Sequence, residues 1–213
     1  MYIGGGLANK MFQYAFSLAI KKKGYDVVYD TITFKTEFVH DRVELDDIFP
    51  NVNMNKISKS DYWAAGKQSK LARLVKRISP KYITEHAYLF NDKVWEQIKP
   101  TCYLESSWQD ENYFVSAADE VRQAFVFPPF EDERNVEVAQ AMASSNSVAI
   151  HIRKGDGYGT WNIFSNTCPK KYYDKALGYI KEHVENPKFF IFTDSPDAVS
   201  YTHLRAHETT LHL

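Results

Sequence analysis

The sequence predicts an α/β protein built from two Rossmann-like halves with a cleft between them. Three observations predict it. The first thirty residues read as strand, glycine loop, helix and strand. Residues 147–194 repeat a strand-helix-strand order. Between them, Phe127-Pro128-Pro129-Phe130 breaks regular structure, which places a linker within about 126–146.

The elements follow in chain order. Residues 1–6 form a strand end that enters three glycines. Met11, Ala15, Leu18 and Ala19 recur at helical spacing, and Gly24 ends that helix after a lysine-rich last turn that suits the helix dipole. Residues 25–30 are rich in valine and tyrosine and read as a strand ending on Asp30. Residues 67–78 place Leu71, Leu74, Val75 and Ile78 on one helical face, among Lys67, Lys70, Arg73, Lys76 and Arg77. Two readings stand: a solvated basic helix packed on its domain, or a peripheral contact with an anionic membrane face. Residues 102–108 read as a strand, 111–125 and 131–145 as helices. The apolar run 147–152 reads as a buried strand. Pro169 opens a helix to about 184, with Tyr172, Tyr173, Ala176, Leu177 and Ile180 on its apolar side, and 188–192 form the next strand.

Composition narrows the function. The net charge of −1 gives no electrostatic reason to expect a nucleic-acid partner. At 44% apolar and 25% charged residues the chain falls in the ordinary globular class, so disorder and low-complexity architectures are excluded. No run approaches the roughly 20 apolar residues of a membrane span, and the N-terminus enters its glycines without a leader pattern. Cys102 and Cys168 are too few for a disulfide framework and read as free thiols of the reducing cytoplasm.

Three segments carry candidate chemistry. Gly4-Gly5-Gly6-Leu7-Ala8-Asn9-Lys10 stands at a helix start, where close backbone approach and free N–H groups favour an anion. It is not a P-loop, because Asn9 occupies the second glycine position and Met11 the Ser/Thr position. A dinucleotide fingerprint on Gly4, Gly6 and Asp30 lacks its third glycine but stays open, as does a plain tight turn with Asn9 as N-cap. The second segment, His151-Ile152-Arg153-Lys154-Gly155-Asp156, leaves the carboxyl end of a strand, where ligands of open α/β sheets collect. Arg153 can grip a diphosphate with two parallel hydrogen bonds, Lys154 adds charge, and Asp156 can orient Arg153 or act as a base. The other reading is a surface ion pair of little energy. The third, Thr193-Asp194, ends the neighbouring strand; it reads equally as a ligand group or a helix cap.

Taken together, these segments resemble the α-1,2-fucosyltransferase family of glycosyltransferases, family 11. The family's opening G-G-L-G-N-Q-M-F-Q-Y-A is matched by residues 5–15, its H-x-R-R-x-D by 151–156, and its F-S-D-D by 192–195; residues 43–50 and 105–114 also look like family segments. The resemblance covers about 1–199. It implies a GT-B-like fold, with an acceptor-side domain over 1–130 and a GDP-fucose domain beginning at 146–199. It implies inverting, metal-independent transfer of L-fucose from GDP-fucose to a galactose 2-hydroxyl of a glycan, by a cytoplasmic enzyme of surface-polysaccharide synthesis with no cofactor beyond its donor substrate. Arg153 would take the charge growing on the departing diphosphate, with His151 and Lys154 assisting and Asp156 orienting. Gly5, Gly6 and Asn9 would close on the donor, and Asp194 would stand beside it. The general base is unassigned. Lys154 replaces an arginine of the family pattern, keeping charge but losing the two-pronged geometry.

Family members continue past residue 199, whereas residues 200–213 look like translated cloning or adapter read-through. On that reading the second Rossmann-like half is incomplete and the chain is weakly active or inactive. In this tail His203, His207 and Glu208 do not complete H-E-x-x-H, since Leu211 stands where the second histidine belongs. Two readings from other classes remain: a non-catalytic nucleotide- or carbohydrate-binding module, and an NAD-type oxidoreductase.

Overall fold

The structure is a computed structural model that describes residues 1–32, 43–58, 82–85, 89–152, 168–193 and, as backbone, 209–211. The chain divides into two compact units, Met1–Pro128 and Pro129–Leu213. The basic stretch 67–78 lies outside the described residues. Among the described residues no helix is long and apolar enough to cross a membrane.

The first unit is a parallel array of short extended segments with helix α1 (Leu7–Lys22) packed on it. Tyr2 bridges Asp30 and Tyr29 bridges Lys56, both in parallel. On the other side the Tyr2 N–H donates to the Leu104 carbonyl at 2.9 Å. Strand β1 (Tyr82–Thr84) pairs in parallel with β2 (Tyr103–Glu105). Tyr2 and Asp30 are thus joined by α1 as a βαβ unit. Helix α1 ends where Gly24 adopts φ +90°, a left-handed turn that glycine takes without strain. Its buried face carries Gln13, Tyr14, Phe16, Ser17 and Ile20, a wider stripe than Met11, Ala15, Leu18 and Ala19 alone. Phe16 meets Trp95, Trp108 and Tyr113 at ring distances of 5.1, 4.9 and 5.0 Å. Short helices α2 (Leu45–Ile48) and α3 (Lys93–Gln97) close the core with Leu45 and Val94.

Three expected elements come out shorter or broken. Residues 25–30 contribute only the two bridging residues, Tyr29 and Asp30. The strand expected over 102–108 stops at Glu105, because Trp108 turns to φ +52°. The helix expected over 111–125 is two 3₁₀ turns, Glu111–Tyr113 and Val115–Ala117, before α4 (Ala118–Ala124). Asp110 starts the first turn by accepting the Asn112 N–H at 2.9 Å. Phe114, at φ −134°, then interrupts it. The rings decide the path: Tyr113 packs under Phe16 and Trp108, and Phe114 meets Phe12. Ring burial outweighs the modest gain of a continuous helix.

The second unit opens with α5 (Glu133–Ala143), which Asp132 caps by accepting the Asn135 N–H at 3.0 Å. Strand β3 (Ser147–Ile152) lies parallel to β4 (Lys188–Thr193) in a register that sets His151 opposite Phe192 and Ile152 opposite Thr193. Strand β5 (Thr209–Leu211) pairs in parallel with the far side of β4. Helix α6 (Lys170–His183) lays Tyr173 and Leu177 on Ile150, Ile152 and Ile191. Tyr172, expected on that apolar side, is exposed. Strand β3, which reads as a buried strand, is buried on one face: Ile150 and Ile152 are buried, while Ala149 and His151 on the alternate face are exposed.

Candidate functional site

The glycine loop of the first unit is built by its neighbours. Gly6 is the N-cap of α1, in extended geometry and with no side-chain cap. Asn9 is therefore not the N-cap; it sits within the first turn, where its Oδ1 accepts a hydrogen bond from Gln109 Nε2. Gly5 holds φ +87°, and a Cβ placed on it would lie 2.7 Å from Asn9 Nδ2. The left-handed φ calls for glycine there, and a side chain would also displace the Asn9 amide. The Gly4 N–H donates to Gln13 Oε1 at 2.8 Å, and Gln13 Nε2 donates to the Ser106 carbonyl at 3.1 Å. One buried glutamine thus ties the loop to the segment that follows β2.

Two other polar groups of this region are committed inside the fold. Lys10 is 2% exposed and its Nζ donates to the Val43 carbonyl, so it does not project from the loop as a phosphate lysine would. Asp30 is equally buried. Its Oδ1 accepts the Ile32 N–H at 3.1 Å and its Oδ2 the Tyr103 hydroxyl at 2.7 Å. Burial first, then the adjacent Asp30 charge, push the Tyr103 hydroxyl well above its ordinary range, so it remains a donor. A ribose-binding carboxylate needs a free edge at a strand end. Asp30 has spent both oxygens on the protein, which removes the carboxylate that the dinucleotide reading needed.

In the second unit His151 is exposed near the end of β3, and its carbonyl accepts the Tyr173 hydroxyl at 3.2 Å. Ile152 pairs with Thr193, so the chain leaves β3 and β4 at adjacent carboxyl ends. Arg153, Lys154, Asp156 and Asp194 lie outside the described residues. Among the described residues no group of three His, Cys, Asp or Glu side chains could hold a metal ion. Cys102 and Cys168 are free and half-buried.

A cavity of about 350 Å³ lies in the first unit, lined by Met1, Tyr25, Asp26, Cys102 and Tyr103 among others. It shares no residue with the glycine loop. Volume alone is no reason to place the chemistry there, since the loop, not the cavity, carries the open backbone donors.

Gln13, Ser106, Trp108 and Gln109 are the residues that sequence reasoning did not assign to the site. Gln13 offered a signal, a polar residue on the buried stripe of an amphipathic helix. Gln109 lies in the family-like segment 105–114, but nothing local pairs it with Asn9, 100 positions away in the chain.

Comparison with known proteins gives this arrangement a family. An alpha-1,2-colitosyltransferase of Escherichia coli is 27% identical over 212 residues, covering 90% of this chain and 67% of that protein. The O-antigen biosynthesis glycosyltransferase WbnK of Escherichia coli is 25% identical over 227 residues, covering 90% of this chain and 71% of its own length. No solved structure matches. Residues 1–201 match the sequence profile of glycosyl transferase family 11, a span that takes in both the glycine loop and the adjoining ends of β3 and β4. The chain belongs to that family, and is thereby a glycosyltransferase that works on a nucleotide-sugar donor and a glycan acceptor.

Proposed function

We propose that the chain transfers L-fucose from GDP-fucose to the 2-hydroxyl of a galactoside, with inversion and without an essential metal, in a GT-B-like arrangement. The observation that carries this reading is the register of β3 and β4. With Ile152 opposite Thr193, the segment running on to Arg153, Lys154 and Asp156 leaves beside the one running on to Asp194. On this reading the two segments supply a guanidinium, an ammonium and carboxylates, the groups that a nucleotide diphosphate needs.

The chemistry follows from that set. As the sugar departs it becomes oxocarbenium-like, and negative charge grows on the diphosphate. A fixed guanidinium that strengthens its two hydrogen bonds as that charge grows lowers the barrier. Arg153 has this role, Lys154 adds charge, and His151 assists from the exposed edge of β3. Asp156 is assigned to orienting the guanidinium. The glycine loop, with Gly5, Gly6 and Asn9, offers short backbone reach and N–H donors to the donor sugar. The relative named for colitosyl transfer favours a second reading, the same transfer with another sugar.

Calorimetry and a transfer assay test both readings. GDP binds the wild-type chain, and Arg153→Ala lowers that affinity by about a hundredfold or more, as expected for loss of a charge-assisted bidentate contact. Fucose appears on a galactoside and not on its 2-deoxy analogue. Transfer from nucleotide-activated colitose but not from GDP-fucose selects the second reading. GDP binding without transfer of either sugar supports a binding module instead. NAD binding that ignores Arg153→Ala overturns the proposal.

A further inference from the structure

The chain after β2 takes a path that only strong constraint maintains. Trp108 holds φ +52°, a left-handed conformation that bulky side chains avoid. Its ring is nonetheless buried, 4.9 Å from Phe16 and 5.4 Å from Tyr113 between centroids. Upstream, the Ser106 carbonyl is held by Gln13. Downstream, the Asp110 N–H donates to the Trp108 carbonyl at 2.9 Å, closing a three-residue turn centred on Gln109. Asp110 is itself pinned, its carboxylate accepting the Phe90 N–H at 2.8 Å and the Asn112 N–H at 2.9 Å. Gln109 thus stands between two fixed neighbours, and its Nε2 donates to Asn9 Oδ1. Backbone strain that the surroundings over-determine is a pointer to function.

The bond also fixes the sense of the Asn9 carboxamide. With Oδ1 occupied by Gln109, the Nδ2 group faces the other way, over the bare backbone of Gly5. A carboxamide free to rotate would present its oxygen there as readily as its nitrogen, and an oxygen cannot donate to a phosphate or a sugar ring oxygen, which only accept. We infer that Gln109 is a positioning residue for the glycosyl transfer: it holds Asn9 so that Nδ2, beside Gly5, donates to an oxygen of the sugar-nucleotide donor. The inference rests on the donor-site reading proposed above.

A double-mutant cycle tests it. Gln109→Leu removes the hold on Asn9. Gln109→Glu keeps the shape but can only accept, so it draws Nδ2 toward itself and turns Oδ1 to the ligand. For Gln109→Leu, KM for GDP-fucose rises about tenfold, the scale of one lost hydrogen bond. Gln109→Glu is at least as impaired and retains the wild-type melting temperature. In an Asn9→Ala background, Gln109→Leu adds less than about a twofold change, because the two act as a unit. Should Gln109→Leu fail to fold, Gln109→Glu carries the test. Effects of Gln109→Leu and Asn9→Ala that multiply, or a Gln109→Glu protein with wild-type kinetics, overturn the inference, as does a lowered melting temperature with unchanged kinetics. Absence of donor binding and transfer in the wild-type chain overturns the donor-site reading, and this inference falls with it.

Discussion

At Gly5 a single hydrogen atom in place of a side chain does two things, and both are measurable. The residue holds φ +87°, and an added Cβ would meet Asn9 Nδ2 at 2.7 Å. Gly5→Ala is therefore expected to cost about 1–3 kcal/mol of stability, from left-handed strain and the displaced amide together. Urea denaturation reads it; Gly24→Ala is the control, because that glycine has φ +90° but open space around its Cβ position. A loss at Gly5 no larger than at Gly24 would show that the contact with Asn9 carries no energy. Tyr29 supplies a second residue-scale test. Its buried hydroxyl pairs with Ser17 Oγ at 2.7 Å, and burial, only partly offset by that bond, pushes its pKa up to about 12. An unfolded tyrosine ionises near pH 10. Between about pH 10 and 12 the unfolded chain has released a proton that the folded chain still holds, so stability falls as pH rises. This group adds no slope below that window, and its full contribution is about 2–3 kcal/mol. Tyr29→Phe should be somewhat less stable at neutral pH, for want of the Ser17 bond, yet lose less on going to about pH 11.5. Equal alkaline slopes for the two proteins would remove Tyr29 from the account. Residue-scale legibility follows distance along the chain. A glycine run before a periodic helix signals a tight turn, and Gly5 with its left-handed φ is such a position. The Asn9–Gln109 pair spans 100 positions and depends on one left-handed tryptophan, for which no local pattern exists.

Helix α1 is the element on which both the core and the loop depend. Its first turn carries Asn9 and its next turns carry Gln13 and Phe16, so one rigid rod sets the loop and anchors the aromatic cluster. Phe16→Ala removes a fully buried ring from contact with Trp95, Trp108 and Tyr113, and should cost about 3–5 kcal/mol. Because Trp108 leans on that ring, the substitution should also shift tryptophan fluorescence in the native baseline, before unfolding begins. A loss below about 1 kcal/mol would mean that neighbouring rings collapse into the space. Elements were legible where one force dominates. Helices α1 and α6 repeat apolar residues at helical spacing, and β3 and β4 are dense in branched and aromatic residues; these four emerge close to their expected bounds. Residues 111–125 were less legible, because three consecutive demands compete there: the Asp110 cap, the burial of Tyr113 and the packing of Phe114 on Phe12. Helical periodicity cannot express the phase shift they impose.

The scale of the whole molecule adds a difference in core size between the two units. The first gathers Ile3, Phe16, Tyr29, Leu45, Phe49, Ile83 and Trp108 into one buried cluster with many partly buried neighbours. In the second, the described cluster is Ile150, Ile152 and Ile191 under Tyr173 and Leu177. Buried apolar area sets the free energy of local opening, so the units should open separately and unequally. Native-state hydrogen exchange is expected to show amides of α1 exchanging more slowly than those of β3 and α6. If the diphosphate binds where Arg153 leaves β3, GDP stabilises the second unit by mass action, by about 2.7 kcal/mol at a hundred times its dissociation constant. Exchange should then slow in β3 and β4 and remain nearly unchanged in α1. The two results separate two questions. Equal protection in both units without ligand would mean that the small cluster is not the weak point of the fold. Slowing confined to α1 and the segment after β2 would move the diphosphate to the glycine loop, leaving Arg153 without its assigned charge to hold.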